Sequence, residues 1–317
     1  MARPVVYVAL QQFCEADDRP RQALLDAGCE VRCNTLGRRL RREEMAGLLQ
    51  EADAVLAGVE PYDAALLAQL PRLRCISRCG TGTDAVDLEA ARRRGIAVYT
   101  TPDDVVEPVA QLTVAMLLAL ARNLLLHLAA ARDGRWEKRT GVLLSEWTIG
   151  LVGFGRIGRR VEMLLRPFGP RVAAADPRLR QGDLPAGVAL RTLEALLAES
   201  DAVSLHASRR PEEGPLIGRR EIGMMKPGSV LVNTARGFLV DEAALEEALR
   251  AGRLGGAALD VFAAEPYAGP LARLPNTLCT PHIATLTSAS RAAMERRAAE
   301  HIVAHVAQAA VPAVTAR

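Results

Sequence analysis

Aromatic residues make up only 3% of this 317-residue chain. Its interior must therefore be filled by Leu, Val, Ile and Ala, packed with little help from rings. Charge of one sign is also short. A formal net charge of +3 is too small to recommend nucleic acid or an anionic membrane as a partner. The basic runs at residues 38–42 and 92–94 are brief and flanked by acids, the pattern of solvated helix faces. None of Cys14, Cys29, Cys33, Cys75, Cys79 and Cys279 stands in a C-x-x-C pair. Free thiols in a reducing compartment are expected, with no metal site. The N-terminus shows no secretory pattern, so the expected location is the cytoplasm. Long hydrophobic runs are missing too: the longest, residues 109–131, is broken by Gln111, Arg122, Asn123 and His127. A buried helix is expected there, not a membrane span.

What is present is a regular alternation. Short β-like runs at 5–10, 31–33, 54–57, 75–77 and 97–99 are interleaved with helical stretches, one following Pro20 and ending at Gly28, the others at 42–52, 64–70 and 88–94. Such alternation produces a parallel, doubly wound sheet. A long helix from about Val106 leads into a second region with strands at 148–152, 171–175, 202–205, 229–232 and 256–259. A final helix over 288–309 is long enough to return to the first region. The expected organisation is α/β with two domains: 1–100 plus 288–317 for substrate, and 101–287 for a cofactor. The crossings near Thr101-Pro102 and 284–287 are expected to act as the hinge of a cleft.

The cofactor expectation rests on Gly153-Phe154-Gly155-Arg156-Ile157-Gly158. A β-like run leads into it, a helix-like run leaves it, and Asp176 ends the next strand. Glycines at these positions permit a tight turn and close approach to a pyrophosphate, while the helix N-terminus offers N–H groups and positive dipole. A carboxylate at the distance of Asp176 suits a ribose 2′-hydroxyl.

Three later segments each end a strand-like run with a reactive side chain: Asn233-Thr234-Ala235-Arg236-Gly237, then Asp260 to Glu265-Pro266, then Thr280-Pro281-His282. Strand C-termini face the ligand crevice of a doubly wound domain. Hydride transfer from a secondary alcohol to NAD⁺ needs a base for the hydroxyl proton, and His282 is of the right type. Glu265 would hold the imidazole in one tautomer. Arg236 would clamp a substrate carboxylate bidentately. His301 and His305, at i, i+4 on the last helix, lack a third ligand and read as helix surface or interface.

Together the glycine motif, Asp176 and these three segments resemble the D-isomer-specific 2-hydroxyacid dehydrogenase family over nearly the whole chain. Within it, Arg78-Cys79-Gly80-Thr81-Gly82-Thr83-Asp84 and Asp133-Gly134-Arg135-Trp136-Glu137 are most similar to the 3-phosphoglycerate dehydrogenase branch. The resemblance implies a Rossmann-type dinucleotide-binding domain inserted in a flavodoxin-like substrate domain, and NAD as cofactor. It implies Arg236, Glu265 and His282 as the catalytic trio. Thr81, Gly153, Gly155, Arg156, Ile157, Gly158, Asp176, Thr234, Ala235 and Asp260 are implied on the cofactor, and Arg78, Gly80, Arg139 and Arg236 on a small anionic substrate. It also implies a homodimer formed through the cofactor domains.

Several positions depart from the family pattern. Gln111 replaces a glutamate in Val109-Ala110-Gln111, Val105 stands where the branch tends to have asparagine, and Asp103, Asp104 and Glu107 make this loop acidic. After His206 the chain reads Ala207-Ser208-Arg209-Arg210 in place of Thr-Pro and apolar residues. Arg178, Arg209 and Arg210 bring positive charge that bears on NAD against NADP. The expected substrate pair is 3-phosphoglycerate and its 2-oxo acid, or a phosphonate analogue. Three alternatives stay open: a hydroxypyruvate- or glyoxylate-type reductase, a phosphite-dehydrogenase-like enzyme, and, in another class, an NAD-sensing scaffold like the family's corepressors.

Overall fold

Strands β1 (Val5–Val8), β2 (Glu30–Cys33), β3 (Ala54–Ala57), β4 (Cys75–Arg78) and β5 (Ala97–Tyr99) form one parallel sheet in the order β2-β1-β3-β4-β5. The computed structural model describes residues 3–209 and 211–310. β1, β3 and β4 are buried along their whole lengths, as parallel strands covered on both faces must be. Helices α1 (Arg19–Asp26), α2 (Arg42–Leu49), α3 (Ala64–Ala68) and α4 (Leu88–Arg93) connect them. Local chemistry starts these helices: Pro20 occupies the first turn of α1, and the side chains of Asp63 and Asp87 cap α3 and α4 by accepting the N–H groups of Leu66 and Ala90. Tyr62, Leu66, Leu67, Leu70, Leu73 and Ile76 fill the core between sheet and helices.

This sheet belongs to a unit made of Met1–Val105 and Leu286–Arg317; Val106–Thr285 make a second unit inserted into it. The second unit begins with α5 (Val106–Ala121) and α6 (Leu124–Arg132). Its sheet contains β6 (Thr148–Val152), β7 (Arg171–Ala175), β8 (Val188–Leu190), β9 (Ala202–Leu205), β10 (Val230–Asn233), β11 (Gly256–Leu259) and β12 (Thr277–Cys279). The order is β12-β11-β10-β9-β6-β7-β8, and every pairing is parallel. Strand order therefore reverses between β6 and β9, the switch point at which doubly wound sheets bind ligands. α7 (Arg156–Leu165), α8 (Leu193–Glu199), α9 (Arg219–Met224) and α10 (Glu242–Arg250) lie between the strands, and α11 (Ser288–Ala310) closes the chain in the first unit.

Both sheets are doubly wound and parallel, the first in flavodoxin-like order and the second in Rossmann order with an added strand. Two local expectations need correction, and one edge strand was not expected. β1 stops at Val8, although Ala9 and Leu10 remain buried. The edge strand β8 has only three residues, too few to show a period. The apolar stretch 109–131 is not one helix: α5 and α6 meet at a 66° bend. Asn123 takes a left-handed conformation there, φ 51°, which its short polar side chain tolerates, and its Nδ2 donates to the Thr140 carbonyl at 3.0 Å. Among the described residues no single helix is long and apolar enough to cross a membrane. Ala110, Val114, Met116 and Leu117 of α5 pack with Ile149, Leu151, Val230 and Val232.

Candidate active site

The three glycines after β6 have different tasks. Gly153 has φ +88°, and a Cβ there would come within 2.6 Å of the backbone of His206 and Ala207. A Cβ on Gly158 would meet the Gly153 carbonyl oxygen at 2.4 Å. Gly155 faces open space, with nothing within 4 Å of its Cβ position. The fold itself thus requires Gly153 and Gly158, whereas Gly155 leaves room for something that is not protein. Arg156, Ile157 and Gly158 form the first turn of α7, whose N–H groups lack carbonyl partners within the helix. With the helix dipole they favour an anion in that room. A dinucleotide pyrophosphate fits.

Asp176 follows β7 and sits beside the same turn. Its Oδ2 accepts the Phe154 N–H at 3.1 Å, and its Oδ1 accepts the N–H and Nε of Arg178 at 3.0 and 3.3 Å. Burial pushes this carboxyl upward, but those three donors and the Arg178 charge hold it below its usual value. Three of its roughly four acceptor positions are used, which leaves capacity for one hydroxyl. Arg209 is turned to Glu213 and the Pro215 carbonyl. Arg210 lies outside the described residues.

Three adjacent strands deliver the trio. At the end of β10, buried Asn233 folds the turn onto itself: its Oδ1 accepts the Ala235 N–H at 3.0 Å and its Nδ2 donates to the Arg236 carbonyl at 2.8 Å. Arg236 emerges from that turn, one guanidinium nitrogen donating to the Ala235 carbonyl at 2.7 Å. After β11, Oε1 of Glu265 accepts the Phe262 N–H at 3.1 Å. After β12, His282 brings Nδ1 to 2.9 Å from Oε2 of Glu265. The His282 backbone is left-handed, φ 55°, and Asp260 holds it there. The Asp260 carbonyl accepts the His282 N–H at 2.9 Å, and its carboxylate accepts the N–H groups of Ile283 and Ala284 and the Thr280 hydroxyl. Asp260 is 0% exposed. Asp260, expected near the cofactor, braces the loop that carries His282.

Other expected residues are also placed. Thr234 is buried, its hydroxyl 2.9 Å from that of Thr113 on α5. Arg78 ends β4 at 6% exposure and donates to the Gly82 carbonyl. Gly80, with φ +138°, donates its N–H to Thr101 Oγ1 at 2.9 Å, and Thr81 is exposed. The Arg139 side chain is 51% exposed and reaches Glu137 at 3.4 Å. Of the acidic loop, Asp104 pairs with Arg297 at 2.6 Å and Glu107 pairs with Arg160 and Gln111. The Tyr99 ring stacks on His301.

Some site features gave no sign in the sequence. His206, at the end of β9 against Gly153, lies 2.9 Å from Ser204 Oγ through its Nε2, and burial pulls its imidazole down to about 4. Gly237 is so close to the next loop that a Cβ would sit 1.8 Å from the Phe262 carbonyl carbon. Glu242, first residue of α10, accepts the Ala263 N–H at 2.6 Å.

A Rossmann-type sheet, a glycine turn with room for a pyrophosphate and a His–Glu pair at neighbouring strand ends define a dinucleotide-dependent class of protein. Residues 114–284 match the family described as "D-isomer specific 2-hydroxyacid dehydrogenase, NAD binding domain". A glyoxylate reductase of Aeropyrum pernix is 38% identical over 98% of this chain and 95% of its own. The D-3-phosphoglycerate dehydrogenase of Mycobacterium bovis is 38% identical over 78% of this chain and 48% of its own, so the chain spans about half the length of that relative. A D-lactate dehydrogenase from Aquifex aeolicus, solved with NAD and lactic acid, superposes with a TM-score of 0.84 at 29% identity, over 96% of each chain. The chain belongs to the D-isomer-specific 2-hydroxyacid dehydrogenase family.

Proposed function

We propose that this chain is an NAD(H)-dependent dehydrogenase that interconverts a small D-2-hydroxy acid and its 2-oxo acid. Val106–Thr285 would bind the dinucleotide. The observation that carries this reading is the 2.9 Å contact between His282 Nδ1 and Glu265 Oε2, on the loop next to Arg236. A nicotinamide held there would supply or take the hydride. His282, held through Nδ1, keeps Nε2 for the substrate oxygen and exchanges its proton there. Glu265 fixes the tautomer and favours the charged ring. Arg236 orients the substrate carboxylate and polarises the neighbouring carbonyl.

Asp176 supports NAD over NADP, because an ionised carboxylate repels a 2′-phosphate. Arg178 opposes that preference only in part, being bound to Asp176 itself.

For the substrate, an unphosphorylated 2-oxo acid of the glyoxylate or hydroxypyruvate type is supported best. A dianionic phosphate needs several free cations or N–H donors. Arg78 already holds the Gly82 carbonyl and its charge bears on buried Glu60, while Arg139 reaches Glu137. The second reading, phosphohydroxypyruvate, is favoured by the buried arginine at the end of β4 and by the phosphoglycerate dehydrogenase relatives. Steady-state rates with glyoxylate, hydroxypyruvate and phosphohydroxypyruvate, each with NADH and NADPH, test both points. Higher kcat/KM for the phosphorylated acid would overturn the first reading, and an NADPH preference would overturn the role of Asp176. Absence of turnover with every 2-oxo acid, together with tight NADH binding, would favour the scaffold alternative.

A homodimer through the second unit is part of this proposal. Leu124, Leu128, Trp136 and Leu143 are exposed apolar residues of that unit, Trp136 at 90%. Light scattering of the wild type and of Trp136→Ala tests it: the wild type should be dimeric and the variant weakened.

A further inference from the structure

The turn that presents Glu265 is held from three directions. From within, Glu265 Oε1 accepts the Phe262 N–H at 3.1 Å. From the Arg236 loop, Gly237 lies under the Phe262–Ala263 peptide, close enough that a Cβ would approach Ala263 N to 2.3 Å. From α10, Glu242 Oε1 accepts the Ala263 N–H at 2.6 Å. Two carboxylates thus grip consecutive N–H groups of one turn, and only Glu265 continues to His282. The Phe262 ring stacks on Tyr267 at 4.1 Å, which steadies the far side of the turn. The Glu242 charge also bears on Tyr267 and on Cys279, the last residue of β12. Glu242 therefore stands beside both the strand that delivers His282 and the turn that delivers Glu265.

We propose that Glu242 is a positioning residue for the reaction: its carboxylate anchors the Ala263 N–H and thereby sets the reach of Glu265 to His282. The inference rests on the proposed roles of Glu265 and His282. The anchor has a specific chemical origin. A backbone N–H at an exposed turn otherwise bonds to water and tolerates several turn conformations, whereas a charged acceptor on a helix start selects one. Asp241 caps α10 by accepting the Ala244 N–H at 3.0 Å, so the helix does not depend on Glu242 for its cap. That division of labour leaves Glu242 available to the neighbouring turn. Small errors of placement in a catalytic dyad are costly in rate.

A double-mutant cycle tests this. Glu242→Ala should lower kcat roughly tenfold with little change in the Kd for NADH. Glu242→Gln keeps an acceptor oxygen and should recover most of the rate. In a Glu265→Gln background the cost of Glu242→Ala should shrink to about twofold or less, because the group it positions is already impaired. Thermal melting checks that each variant is folded, and Glu242→Gln with Glu242→Asp replaces the alanine arm should Glu242→Ala not fold, the shorter acid being the impaired one. Three results would overturn the proposal: unchanged kcat in Glu242→Ala, equal losses in the glutamine and alanine variants, or the same tenfold cost with and without Glu265. Unchanged turnover in Glu265→Gln alone would instead strike the proposed role of Glu265.

Discussion

Nδ1 of His282 lies 2.9 Å from Oε2 of Glu265, while the second oxygen of the same carboxylate is tied to the Phe262 N–H. One oxygen orients the ring and the other orients the carboxylate. The arrangement fixes the imidazole by its Nδ1 edge and leaves Nε2 for the proposed proton exchange. Asp260 completes it by holding the left-handed His282 backbone from a fully buried position.

Glu265→Gln should lower kcat by about tenfold to a hundredfold while the Kd for NADH changes little. The amide can still accept from the Phe262 N–H, but it loses the charge that favours a protonated ring and the unambiguous tautomer. Steady-state kinetics with fluorescence titration of NADH checks this. Full retention of kcat would show that the 2.9 Å contact has no part in catalysis.

Arg236→Lys should be severely impaired although the charge is kept. An ammonium cannot reproduce the planar fork that meets a carboxylate through two parallel bonds. Both KM for the 2-oxo acid should rise and kcat should fall, because one contact binds and aims the carbonyl. Wild-type kinetics in the lysine variant would reduce Arg236 to a structural cation.

Gly155→Val separates folding from cofactor binding. Nothing lies within 4 Å of its Cβ position, so the free protein should melt within a few degrees of the wild type. The same side chain fills the room proposed for the pyrophosphate, and NADH affinity should fall by at least about tenfold. Gly153→Ala should do the reverse damage first, since its Cβ meets backbone at 2.6 Å. Undiminished NADH binding by Gly155→Val would place the dinucleotide elsewhere.

Much of this was legible in the chain because its signals are local. Gly153 to Gly158 and Asp176 lie within one strand–helix–strand unit, and each of Arg236, Glu265 and His282 follows its own β-like run. Other features have no local signal. The break at Asn123 hides within an apolar stretch whose composition suits one helix as well as two. β8 is too short to reveal a period. The contacts of Gly237 with Phe262 and of Glu242 with Ala263 join residues far apart in sequence, and nothing in either segment names the other. The contact of Arg139 with Glu137, two residues away, likewise has no signal of its own in the sequence. Nothing near Asp260 in the sequence shows that its carboxylate accepts from Thr280, Ile283 and Ala284, which only the folded loop reveals.

His206 should make the protein sensitive to mild acid. Burial pulls its imidazole from 6.5 to about 4. Between those values the unfolded chain binds the proton more readily than the folded one. The stability contributed by the neutral ring is therefore present above pH 6.5, declines as pH falls toward 4, and levels off below that. Tm measured across this window should fall more steeply in the wild type than in His206→Asn. Parallel curves would show that His206 titrates alike in both states.

The most direct test of the account is His282→Asn, assayed for NADH oxidation with hydroxypyruvate or whichever 2-oxo acid the wild type turns over best, alongside NADH titration. The account predicts that turnover falls by about a hundredfold to ten-thousandfold while the Kd for NADH stays within about twofold, because His282 acts on the substrate oxygen and not on the cofactor. A variant that keeps near-wild-type turnover would contradict it.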